Sequence, residues 1–68
     1  YVNVNMVSPG GIFRNQDKKF QKKYINTTPM KRMCKEEDVI FTILFLLSDM
    51  SNYITGQNIS VDGGYSII

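Results

Sequence analysis

Sixty-eight residues carrying eight basic and six acidic side chains, for a formal charge of +2, allow at most one small domain. The absence of histidine and the single Cys34 exclude an internal disulfide and a structural zinc site, and a lone thiol is compatible with a reducing compartment. The longest unbroken apolar run, Ile43 to Leu47, is far too short to cross a bilayer, and no signal peptide is visible.

The chain opens at Tyr1-Val2-Asn3, already alternating and without an initiator methionine. So small an apolar complement is also a poor basis for an independent core. The segment is therefore expected to be cut from something larger. Val2, Val4 and Met6 alternate with Asn3 and Asn5, which predicts a strand over residues 2–8. Ser8-Pro9-Gly10-Gly11 should end it sharply, because proline cannot continue a ladder and glycine frees the backbone.

Residues 15–26 place Phe20, Tyr24 and Ile25 among lysines, a spacing that suits a short, mostly exposed helix with a thin apolar stripe. Thr27-Thr28-Pro29 should stop it, since the residue before proline avoids the α region. All eight basic residues lie between Arg14 and Lys35 with one acid, Asp17, giving +7; five acids and no base follow, giving −5. Such asymmetry can mark a nucleic-acid site, with Phe13, Phe20 and Tyr24 as stacking platforms. The simpler reading is a solvated helix in a surface loop, and no nucleic-acid motif accompanies the charges.

Glu36-Glu37-Asp38 puts three acids where a helix N-terminus favours them. In Val39 to Leu47 only Thr42 is polar. Periodicity does not separate a buried helix from a buried strand here; the acidic start and the leucines point to a helix over 36–48, ended at Ser48-Asp49. A helix apolar nearly all round needs cover on more than one side, part of it from another subunit.

Finally, Ile59 and Val61 alternate with Asn58 and Ser60 between two turn signals, Thr55-Gly56 and Asp62-Gly63-Gly64. One brief strand is predicted there, with glycines that serve close backbone approach or positive φ. Two glycosylation-type triplets, Asn26-Thr27-Thr28 and Asn58-Ile59-Ser60, read as chance. A strand, a crossover containing a helix, and a second strand imply parallel pairing. Ligands of open parallel sheets bind outside the carboxyl ends of strands, which places the Ser8-to-Ile12 turn at the crevice.

In this order the chain closely resembles the C-terminal portion of a short-chain dehydrogenase/reductase. The likeness rests on three blocks: Val2 to Gly11, with its Pro-Gly turn; Thr28-Pro29-Met30-Lys31-Arg32-Met33 through Asp49; and Tyr53-Ile54-Thr55-Gly56-Gln57 through Asp62-Gly63-Gly64. It implies an α/β fold, the last two strands of a Rossmann-type doubly wound parallel sheet. The parts would be a strand and cofactor turn (1–12), a substrate-loop excursion (13–35), a buried helix (36–49) and a closing strand and tail (50–68). The family binds NAD(H) or NADP(H) and moves hydride to or from a carbonyl or alcohol.

By resemblance, Pro9, Gly10, Gly11 and Ile12 line the nicotinamide end of the cofactor pocket, with the Ile12 amide on the carboxamide. Where the family commonly carries threonine, five positions beyond the proline, Arg14 stands, followed by Asn15. Arg14 or Asn15 is expected to supply a substitute polar contact, or the grip is looser. The Gly-Gly-Ile-Phe-x-Asn-Gln turn resembles that of sugar- or polyol-directed relatives, and the +7 stretch suits an anionic or carrier-bound substrate. The family's glycine-rich phosphate motif and its Tyr-x-x-x-Lys pair are not in this sequence: Asn5, Thr28 and Gln57 stand four residues after Tyr1, Tyr24 and Tyr53. No catalytic residue is expected in the chain, and Tyr53 and Tyr65 read as packing residues. The parent enzyme is expected to be a cytoplasmic homo-oligomer, dimer or tetramer, acting on a small molecule and not on nucleic acid or membrane. The competing reading is a non-catalytic assembly segment built on the apolar helix and the tail strand.

Overall fold

The computed structural model describes residues 2–67. Tyr1 and Ile68, the outer ends of the expected first and last segments, lie outside the described residues. The elements are β1 (Met6–Pro9), α1 (Lys18–Thr27), α2 (Glu36–Leu47), a 3-10 turn at Asp49–Ser51, β2 (Asn58–Val61) and a second 3-10 turn at Tyr65–Ile67. β1 and β2 pair in parallel, Met6 opposite Asn58 through Pro9 opposite Val61. The parallel pairing and both long helices agree with the sequence reading.

β1 begins later than the alternation predicts. Upstream of Met6, side chains take over the rungs: the Val4 amide donates to Thr55 Oγ1 (3.0 Å), the Gln57 amide to Asn5 Oδ1 (3.0 Å), and Asn5 Nδ2 to the Ile54 carbonyl (3.1 Å). Residues 3–5 thus run beside the 52–57 segment without forming a regular ladder. Pro9, expected to break the strand, is its last member. The Met6 and Gly10 amides donate to β2, to the Gln57 and Val61 carbonyls (2.8 and 2.9 Å). Pro9 is out of phase with both, so its missing N–H falls on the side away from β2.

α1 starts on Asp17, whose carboxylate accepts from the Lys19 amide (3.2 Å). It ends where Thr28 turns both its amide (3.0 Å) and its hydroxyl (2.8 Å) onto the Tyr24 carbonyl, ahead of Pro29. α2 begins at Glu36, and the carboxylate of Asp38 accepts the Lys35 amide at 2.8 Å, one half of a capping box. Ser48 closes it, as predicted.

The described chain extends only 14 Å along its shortest axis. Packed layers lie about 10 Å apart, so this thickness does not enclose a core. Among the described residues only Thr28, Met33, Cys34 and Ser51 are buried. Val2, Val4 and Met6 on one side of the first segment, and Ile40, Phe41, Leu44 and Leu47 on α2, stay exposed. α2, expected to be buried, has no buried residue: it packs on the two strands, with Val39 and Leu46 half-buried, and most of its other apolar side chains stay exposed.

Candidate functional site

The turn after β1 is held from three directions. Gly10 donates to the Val61 carbonyl (2.9 Å), which ties it to β2. Gly11 donates to the phenolic oxygen of Tyr24 at 2.6 Å. Gly11 and Phe13 bracket Cys34: the Cys34 amide donates to the Gly11 carbonyl (2.9 Å) and the Phe13 amide to the Cys34 carbonyl (3.0 Å). These two bonds make an isolated parallel bridge between Ile12 and Cys34. In such a bridge the central residue's own N–H and C=O point the opposite way. The Ile12 carbonyl accepts from Gln16 Nε2 (2.8 Å), while its N–H meets no acceptor among the described residues. Of the four amides at 10–13, only that of Ile12 is left without a partner among the described residues.

The two glycines are needed for space and not for positive φ. A Cβ at Gly10 would lie 2.9 Å from the Asp62 backbone, and one at Gly11 only 2.6 Å from Tyr24 Cζ. The left-handed glycines are instead Gly56, Gly63 and Gly64, in the two turns that flank β2.

Tyr24 was the residue sequence reasoning undervalued, reading it as one member of an apolar stripe. Its ring stacks on Tyr65 (centroids 4.9 Å apart, planes within 10°) and faces Phe20 at 6.1 Å. The signal was its polar tip, since a half-buried tyrosine usually finds a hydrogen-bond partner. Gln16 was also missed: besides holding the Ile12 carbonyl it accepts the Arg14 amide on Oε1 (2.8 Å), clamping residues 12–14.

Arg14 reaches Glu36 at the start of α2 (Nη1 to Oε1 2.7 Å), in an exposed pair. Asn15 is exposed and adopts φ 57°, a left-handed conformation asparagine tolerates better than most residues. Pro9 sits exposed at the end of β1. The five positions singled out from sequence therefore lie at or just beyond the carboxyl end of β1.

Burial pushes the Cys34 thiol above its usual pKa, with the nearby Asp38 charge adding to the effect. The Ser66 hydroxyl, with the Gly64 and Ser66 amides, holds the Asp62 carboxyl below the usual carboxylate range. A cleft of about 270 Å³ lies between the Met30–Cys34 loop and the end of β2, but its Arg32 and Asp38 are already paired to each other. No group of metal-ligating residues occurs among the described residues, nor does any helix long and apolar enough to cross a membrane.

Two parallel strands with intervening helices and a glycine turn at the strand end define a Rossmann-like α/β unit. The chain belongs to the short-chain dehydrogenase/reductase family: the family model described as enoyl-(acyl carrier protein) reductase matches residues 1–66. It is 41% identical over 66 residues to the post-translational flagellin modification protein A of Campylobacter coli, covering 97% of this chain and 26% of that protein. It is 45% identical over 67 residues to the 3-oxoacyl-[acyl-carrier-protein] reductase FabG of Buchnera aphidicola subsp. Schizaphis graminum, covering 93% and 28%. The crystal structure of a short-chain dehydrogenase from Leptospira borgpetersenii serovar Hardjo-bovis with bound NAD+ superimposes with a TM-score of 0.90 at 47% identity, covering 94% of this chain and 25% of that one. The chain thus spans about a quarter of the length of the relatives it matches.

Proposed function

We propose that this chain is the C-terminal part of an NAD(P)-dependent oxidoreductase that moves hydride between a nicotinamide cofactor and a carbonyl or alcohol. The observation that carries this reading is the unpartnered Ile12 amide at the carboxyl end of β1, where open parallel sheets bind ligands. Neighbouring amides are committed to Val61, Tyr24 and Cys34, so a ligand approaching the turn meets one donor in a fixed place. That is the arrangement a nicotinamide carboxamide needs, and the likeness to a dehydrogenase with bound NAD+ supports it. When bound, NAD(H) or NADP(H) supplies the hydride chemistry. Pro9, Gly10 and Gly11 give the turn its shape and close approach, Ile12 offers the donor, and Asn15 borders the site.

The catalytic acid–base pair lies in sequence outside these residues, so the chain alone is inactive. That it forms part of a larger domain is supported by its two-stranded parallel sheet, since such sheets are normally covered on both faces. We place the parent enzyme in the cytoplasm as a homo-oligomer; the free Cys34 agrees with a reducing compartment. The substrate is a small molecule, and the basic excursion 13–35 favours an anionic or carrier-bound one.

The test uses the full-length protein that carries the chain. Binding of NADH or NADPH is followed by fluorescence, and turnover against a panel of ketones, sugars and acyl thioesters by absorbance. Binding of one cofactor with turnover of a carbonyl supports the reading; no binding of either overturns it. A second reading, that α2 is an assembly surface, is favoured by the exposure of Phe41 (67%) and Leu47 (79%).

A further inference from the structure

We infer that Tyr24 is a positioning residue for the reaction: by accepting the Gly11 amide it fixes the turn that aims the Ile12 amide. The inference rests on the cofactor reading above and goes beyond it, since Tyr24 lies in the helix of the excursion and not in the turn. Three independent contacts point to it. Its phenolic oxygen is 2.6 Å from the Gly11 nitrogen. Its ring fills the space that a side chain at Gly11 would need, with Cζ, Cε2 and the hydroxyl all within 2.9 Å of a built Cβ. Its outer face is clamped by Tyr65, from the last described segment, at 4.9 Å.

The consequence is a chain of contact from the tail to the turn. Tyr65 holds the Tyr24 ring, Tyr24 holds Gly11, and Gly11 precedes the one amide of the turn left without an acceptor. The opposite side of Gly11 is fixed by the Cys34 amide on its carbonyl. Gly11 has no side chain of its own to set its place, so the two bonds to Tyr24 and Cys34 do so. Removing the bond to Tyr24 frees the Gly10–Gly11 peptide and leaves the bond from Cys34 as the one hold on the next peptide, which carries the Ile12 N–H, so that the aim of this N–H loosens. Misplacing a reacting ring by an ångström costs on the order of a hundredfold in rate. A partial loosening should cost less and should fall on the hydride step, since it changes how the ring is aimed.

The experiment compares full-length wild type with Tyr24→Phe, which keeps the stacked ring and removes the acceptor. Lys22→Ala, an exposed change on the same helix, is the control. In the protein without cofactor, amide exchange at Gly11 should speed up by roughly tenfold or more in Tyr24→Phe. With cofactor and substrate, kcat should fall by about tenfold, the cofactor Kd should stay within about threefold, and the primary deuterium isotope effect should rise. Tyr65→Leu keeps the phenol and loses the stack; it should shift the same readouts in the same direction but less, and serves if Tyr24→Phe folds poorly. Unchanged Gly11 exchange in both variants, or a folded Tyr24→Phe with wild-type kcat and isotope effect, overturns the inference. A wild-type protein that binds neither cofactor overturns the functional reading and the positioning role with it, and shows this before any substitution is made.

Discussion

The Arg32 guanidinium grips both oxygens of Asp38, with Nη1 2.8 Å from Oδ2 and Nη2 3.2 Å from Oδ1. Oδ2 also accepts the Lys35 amide at 2.8 Å, so one carboxylate closes the start of α2 and ties down the loop that precedes it. That loop carries Cys34, which holds Gly11 and Phe13. The hydrogen bond from Arg32 first, then that from the Lys35 amide, lowers the Asp38 pKa from 3.8 to about 2.

A carboxylate depressed in the folded state stabilises at pH above its unfolded value, and the stabilisation is lost as pH falls through the folded value. For Asp38 the window runs from 3.8 down to about 2. Thermal melts of the full-length protein from pH 7 to pH 2 should show a shallower acid-side fall in Asp38→Asn than in wild type. Asp62 is shifted in the same direction but is present in both proteins, so the difference reports Asp38 alone. Parallel curves would refute the assignment.

Substituting Gly11 by alanine places a Cβ 2.6 Å from Tyr24 Cζ. Overpacking of this kind costs roughly 1–3 kcal/mol. Trimming the ring with Tyr24→Leu should recover part of that loss, so the double variant should be more stable than the sum of the singles. Gly10→Ala meets Asp62 Cα and Cβ at 2.9 Å and Tyr24 Oη only at 3.3 Å, so the same trimming should rescue it much less. Denaturant midpoints for wild type, the three single variants and the two double variants measure both terms; strict additivity of Gly11→Ala and Tyr24→Leu would show that the ring is not what excludes a side chain.

Gly56 and Gly64 both have positive φ (71° and 93°) but differ in their surroundings. Nothing lies within 4 Å of a Cβ at Gly56, whereas at Gly64 it would be 3.1 Å from Pro29 Cγ. Gly56→Asn should therefore cost under about 1 kcal/mol, since asparagine visits this region readily. Gly64→Asn adds a collision with a rigid ring to the backbone term and should lower Tm distinctly further. Equal Tm losses would mean that backbone conformation alone sets the requirement at both turns.

Elements governed by local signals were legible in the sequence. Pro29 stops α1 through its effect on Thr28, and three acids open α2, because both act within a turn of where they stand. What the sequence did not show depends on partners far along the chain. The late start of β1 follows from Asn5 and Thr55 replacing rungs about fifty residues apart in sequence. The reason for Gly11 is a ring thirteen residues on. The charge asymmetry likewise resolves in space: Arg14 and Arg32, from the basic half, pair with Glu36 and Asp38 at the head of the acidic half. At the candidate site, the Pro-Gly-Gly turn was legible as a motif, but which of its amides is unpartnered is a property of the bridge to Cys34.

The exposed apolar side of α2 gives the last prediction. Ile40, Leu44 and Leu47 recur at helical spacing with Phe41 beside them, all more than 45% exposed. Burying such side chains gains up to roughly 1.5–3 kcal/mol apiece, so a surface that covered them would be strongly favoured. Cover from the rest of the same polypeptide and cover from a second subunit differ in what Phe41→Asp does. In the first case the carboxylate is buried within the domain and the protein loses several kcal/mol of stability or fails to fold. In the second the subunit stays folded and separates from its partners. Sedimentation of full-length Phe41→Asp and Phe45→Asp, with melts on the same samples, tells these apart. A smaller mass with a preserved melting transition makes α2 an assembly surface; a parental mass with a preserved transition in both variants excludes it, because a charge would then sit on the face without disturbing either kind of contact.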